Sequence, residues 1–99
     1  MYFLQMFWKY FMINNHETRK KRLRYRTSHT GTRETDILLG GFVDRYVNSF
    51  NTKQIQDLED LLNGANDPDI LDYITARQPL PRNFNNDTIS LLLRYVRER

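Results

Sequence analysis

Phe50-Asn51-Thr52-Lys53-Gln54-Ile55-Gln56-Asp57-Leu58-Glu59-Asp60-Leu61-Leu62-Asn63-Gly64 contains every signal of one short helix. Asn51 is placed to cap it. Gln54 stands three residues on, where it closes a capping box, and Phe50 and Ile55 take the positions of a hydrophobic staple. Ile55, Leu58, Leu61 and Leu62 recur at helical spacing and predict a buried face. Gly64 predicts the stop.

The same grammar extends in both directions. Downstream, Asp67-Pro68 reads as a cap followed by proline at the first helical position, with Ile70, Leu71, Tyr73 and Ile74 behind it. Pro79 and Pro81 forbid a continued helix, and a last helix starts near Asn86-Asp87 with Ile89, Leu92, Leu93 and Val96. Upstream, a helix is predicted from about Thr32 to Asn48. Ile37, Leu38, Phe42, Val43, Tyr46 and Val47 form its apolar spacing. Gly40-Gly41 costs this helix about 1 kcal/mol per glycine relative to alanine, which predicts a close crossing with a neighbour. The first helix runs from near Glu17 to near Ser28. Its apolar residues are few, chiefly Leu23 and Tyr25, so it is expected on the outside of the bundle. Gly31 ends it. No stretch alternates at period two. The fold class is therefore all-α, a compact single-domain bundle of about five short helices over residues 16–99.

Residues 1–15 are an atypical extension. Phe3, Leu4, Met6, Phe7, Trp8, Tyr10, Phe11 and Met12 make an apolar run too short to span a membrane. It lacks the order of charges of a secretory signal. The preferred reading is a start codon placed too early, with Met12 as the true start; the other is a short interfacial or partner-binding helix.

The 99 residues include no cysteine and two histidines, His16 and His29. That removes disulfides, thiolate chemistry and a conventional zinc site. No nucleophile, base and orienting group assemble either. Ser28 and His29 are adjacent, but neighbours on a helix do not face each other. Glu59-Asp60 reads as a solvated face. Glu34 and Asp36 fit both dipole stabilisation at a helix start and a functional role. No catalytic, metal or cofactor-binding residue is assigned, and the chain is not expected to be an enzyme.

The net charge is +3 and the pI about 9.4. Arg19, Lys20, Lys21, Arg22, Arg24 and Arg26 form a basic run, and acids dominate from Glu34 to Asp72. Such polarity suits docking onto a charged surface. The acidic second half argues against a nucleic-acid track. Residues and spacing alone lead to a small basic helical domain that binds a partner.

The string from Arg22 to Gly40 carries the reading further, because it resembles the signature of the succinate dehydrogenase flavinylation factors. Leu23, Tyr25 and Arg26 match the family's Leu-x-Tyr-Arg step. Gly31 and Glu34 match R-G-x-x-E. Asp36, Leu39, Gly40 and Phe42 match x-Asp-x-x-Leu-Gly-x-Phe, with one residue inserted at Gly41. Later, Leu58-Glu59-Asp60-Leu61-Leu62 and Asp67-Pro68-Asp69-Ile70 resemble further landmarks, so the resemblance spans about Thr18 to Val96. One residue departs: the motif arginine is Thr30 here.

The resemblance implies a protein that binds the flavoprotein subunit of succinate dehydrogenase, with fumarate reductase as a second target. It would promote covalent FAD attachment there without holding FAD stably itself. It implies a partner-binding site of Gly31, Glu34 and Asp36, flanked by Tyr25, Arg26, His29, Thr30 and Arg33. Arg26 or Arg33 is expected to supply the charge missing at Thr30, so that Thr30→Arg tightens binding only slightly. A bacterial cytoplasm is the expected compartment, with the mitochondrial matrix as the alternative. An antitoxin-like or regulatory interaction module, and a small basic nucleic-acid binder, are the competing functional readings.

Overall fold

The computed structural model describes residues 15–99. The expectations for residues 1–14 lie outside the described residues. Five α-helices follow one another: α1 His16–Thr27, α2 Arg33–Tyr46, α3 Thr52–Gly64, α4 Asp67–Ile74 and α5 Asp87–Arg97. Short 3-10 turns at Val47–Ser49 and Arg82–Phe84 connect them. No strand occurs among the described residues. The all-α reading holds, with boundaries close to those predicted.

Caps explain most of the boundaries. In α3 both halves of the box form: the Gln54 N–H donates to Asn51 Oδ1 at 2.9 Å, and the Asn51 N–H donates to Gln54 Oε1 at 2.8 Å. Asn86 Oδ1 accepts from the Ile89 N–H at 2.9 Å and starts α5. One cap differs from expectation. Asn66, not Asp67, caps α4, its Oδ1 accepting from the Asp69 N–H at 2.8 Å. Asp67 is thereby released into the first turn, where the helix dipole favours it.

α2 is the central element, in contact with α1, α4 and α5. Its fully buried residues are Thr35, Leu39, Phe42 and Val43. Leu39, Phe42, Val43 and half-buried Tyr46 fall at i, i+3, i+4 and i+7. Ile37, predicted in this face, is instead 46% exposed. It lies two residues before Leu39, which rotates it to the opposite side. The predicted close approach is found at Gly41, while Gly40 faces α1 at ordinary contact distance. A Cβ at Gly40 would lie 3.5 Å from the Thr27 carbonyl oxygen of α1, and one at Gly41 only 2.5 Å from the Tyr95 hydroxyl of α5.

α1 has few apolar residues, and its basic run turns out to fasten it. Arg19 pairs with Glu59 at 2.5 Å. Lys20 is buried, its Nζ donating to the Asn48 carbonyl at 3.2 Å. Arg24 donates to Asn48 Oδ1 at 2.6 Å, and Arg26 to Asp67 Oδ1 at 2.7 Å. Glu59 is therefore a half-buried ion-pair partner rather than a solvated carboxylate.

After α4 the chain turns at Ala76, whose φ is +63°. The left-handed region costs an L-residue roughly 1–2 kcal/mol, and glycine there avoids the cost while losing more entropy on folding. Ala76→Gly is therefore expected to raise stability by roughly 0.5 kcal/mol, read as a higher urea midpoint at unchanged slope. A lower midpoint would refute this.

Candidate partner-binding surface

The site residues gather where α1 passes into α2. α1 ends at Thr27, and Ser28 closes it, its backbone N–H reaching the Tyr25 and Arg26 carbonyls. Gly31 then takes a φ of +94°, with no atom within 4 Å of a Cβ placed on it. The turn needs glycine for its backbone conformation, not for space on its own molecule. The Thr32 side chain accepts from the Thr35 N–H and starts α2.

Thr30 is only 3% exposed. Its backbone N–H donates to Asp36 Oδ1 at 2.7 Å and its hydroxyl donates to the same oxygen at 2.5 Å. Thr30 and Asp36 therefore form a clamp across the turn that engages Oδ1 of the half-buried Asp36 carboxylate. The hydroxyl and backbone donors of Thr30 hold the Asp36 carboxyl below its usual range, and the neighbouring His29 ring acts in the same direction. The consequence for stability has a definite sign. A depressed carboxylate pKa stabilises the fold above the unfolded value of about 3.9 and loses that contribution as pH falls through the lower folded value. The gap in Tm between wild type and Asp36→Asn is expected to be open at pH 7 and to close below about pH 4. A gap constant across that range would remove the clamp's electrostatic role.

Arg26 is turned away from the loop and tied to Asp67. Arg33 and Glu34 are exposed in the first turn of α2 and make no hydrogen bond or ion pair among the described residues. Of the two arginines expected to replace the charge missing at Thr30, Arg33 is the available one. An arginine at position 30 would have to leave the interior and would lose the hydroxyl bond to Asp36.

His29 stacks on Tyr25, with ring centroids 4.0 Å apart and planes 16° from parallel. Contrary to the helical expectation, Ser28 Oγ lies 3.1 Å from His29 Nδ1, because the helix has already ended. The pair is still not a nucleophile and its base. Nδ1 also lies 2.8 Å from the Tyr25 carbonyl oxygen, which can only accept, so Nδ1 carries the proton there. Among the described residues no three His, Asp or Glu side chains group as metal ligands.

The exposed large hydrophobic side chains among the described residues are Tyr25, 66% exposed, and Ile37. Both flank this turn. Ile37 lies one helical turn after Arg33 and Glu34 and shares their face. The sequence reading missed it as a surface residue, although its phase against Leu39, Phe42 and Val43 was available as a signal. Beside Tyr25 a groove of about 270 Å³ opens between α1 and α3, lined by Leu23, Tyr25, Arg26, Leu62 and Asn63 among others.

The family described as "flavinator of succinate dehydrogenase" matches residues 21–96. The chain belongs to this family. Among relatives of this flavinator-family chain, succinate dehydrogenase assembly factor 2-A, mitochondrial, of Drosophila ananassae is 40% identical over 82 residues, covering 82% of this chain and 53% of the relative. FAD assembly factor SdhE of Acetobacter pasteurianus is 40% identical over 68 residues, covering 69% of this chain and 62% of the relative. The chain thus spans little more than half the length of these relatives. No solved structure matches it. The matched residues of the flavinator family take in all of α2 to α4 and the turn at Gly31.

Proposed function

We propose that this chain is an assembly factor, not an enzyme. It binds the flavoprotein subunit of succinate dehydrogenase and promotes covalent attachment of FAD to a histidine of that subunit, with the fumarate reductase flavoprotein as a second target. Membership of the flavinator family over residues 21–96 carries this reading. The surface of Tyr25, His29, Gly31, Arg33, Glu34 and Ile37 supports it, because it combines exposed apolar area with uncommitted charge of both signs. Thr30 and Asp36 set the turn from within, and Arg26 anchors α1 behind it.

The reacting groups belong to the flavin and the partner. The factor's contribution is to hold the subunit where histidine and flavin meet, a positioning effect. No helix among the described residues is long and apolar enough to cross a membrane. A bacterial cytoplasm or a mitochondrial matrix is the proposed compartment; one relative is named as mitochondrial, and the Acetobacter pasteurianus relative supports the bacterial setting.

The test is in-gel flavin fluorescence after denaturation, which reports covalent flavin only. The flavoprotein subunit is made in a host lacking its own factor, with and without this chain. Fluorescence is expected to rise with wild type, and to fall with Gly31→Arg and with Glu34→Ala at unchanged circular dichroism. No rise with folded wild-type chain would overturn the reading. A fall limited to Gly31→Arg would remove Glu34 from the contact.

A further inference from the structure

At the far end of α2 from the Gly31 turn, a second cavity of about 240 Å³ lies between α2 and α5. Arg45 and Tyr46 line it from α2, and Leu91, Arg94 and Tyr95 from α5, with Glu98 and Arg99 completing the wall. Tyr46 and Tyr95 meet edge to face, their centroids 6.3 Å apart. The Arg45 guanidinium lies 5.4 Å from the Tyr46 ring centroid. None of the three arginines has a hydrogen bond or ion pair among the described residues. That contrasts with α1, where Arg19, Lys20, Arg24 and Arg26 are all engaged.

We propose that this cavity is an oxyanion site that takes a phosphate-class anion. Arginine forks match phosphate oxygens two at a time, and a guanidinium braced on an aromatic face is already oriented for that contact. The volume selects the ligand size. At about 240 Å³ the cavity holds a phosphate or pyrophosphate group within its walls, and a larger molecule carrying that group would extend beyond it. The tyrosine pair offers an apolar floor beside the charge. The anion can come free or carried on a nucleotide, whose ring would then lie on the tyrosines.

Calorimetric titration of the whole chain with inorganic pyrophosphate and, separately, with ADP tests this. Pyrophosphate is expected to bind with a salt-sensitive Kd below about 1 mM. Arg45→Gln and Arg94→Gln are each expected to weaken it about tenfold, because each removes a charge-assisted contact. Arg77→Gln, in the turn after α4 and outside the cavity wall, should leave it unchanged. Tighter binding of ADP than of pyrophosphate, lost in Tyr95→Leu, would identify a nucleotide-borne phosphate. Equal binding would identify the free anion. Absence of binding at 10 mM, or binding that Arg45→Gln and Arg94→Gln leave intact while Arg77→Gln alters it, would overturn the proposal.

Discussion

Phe42→Ala is expected to destabilise the fold by about 3–5 kcal/mol, the largest loss of any single substitution considered. Phe42 is fully buried in the middle of α2. Its ring meets Tyr46 at 5.2 Å, Tyr95 at 5.7 Å and Phe50 at 5.9 Å, and so joins α2, α5 and the connection into α3. Truncation removes all three ring contacts and leaves a cavity between Leu39, Val43 and the other buried side chains of the core. A folded domain has about 5–15 kcal/mol in total, so Tm should fall by about 15 °C or more. Ile37→Ala in the same helix should change stability by about 1 kcal/mol or less, because its side chain lies outside the buried core and is 46% exposed. Thermal melts of the two variants decide the matter; equal losses would mean that the buried face of α2 is assigned wrongly.

Arg33→Glu is expected to weaken binding of the flavoprotein subunit by more than tenfold, above about 1.4 kcal/mol, with Tm unchanged. The side chain is exposed and has no partner among the described residues, so the fold has nothing to lose. Arg26→Gln is the counterpart. It breaks a half-exposed ion pair to Asp67, worth about 0–1 kcal/mol, and should leave binding within about threefold. Binding measured against immobilised subunit separates the two. If Arg26→Gln weakens binding more than Arg33→Glu does, the compensating charge is on α1 and the assignment is reversed.

Much of the fold was legible because it rests on local chemistry. The Asn51 and Gln54 box and the Asn86 start of α5 depend on residues within a turn of one another; α3 does end at Gly64, but with no left-handed closure there, and the missing side chain makes room for the Phe84 ring instead. What was not legible depends on partners distant in sequence. Glu59 reads as solvated until Arg19 arrives from 40 positions away. Lys20 reads as surface until the Asn48 carbonyl meets it. At the site, Gly31 was readable from its conformational role. Thr30 was not. A threonine in place of a motif arginine reads as lost charge, whereas in the fold it is an interior donor to Asp36. Ser28 and His29 were misjudged because their contact requires the helix to have ended one residue earlier.

The glycine pair of α2 has a consequence for distance. With the Thr27 carbonyl of α1 beside Gly40 and the Tyr95 hydroxyl of α5 against Gly41, the helix is packed from two sides at its midpoint. Its 14 residues then act as a rigid spacer of roughly 20 Å between the Gly31 turn and the Arg45 end. A protein seated on one end does not shadow the other. Occupants of the two ends should bind additively, each with the affinity it shows alone, and a departure from additivity would have to be traced to movement at Gly40 and Gly41.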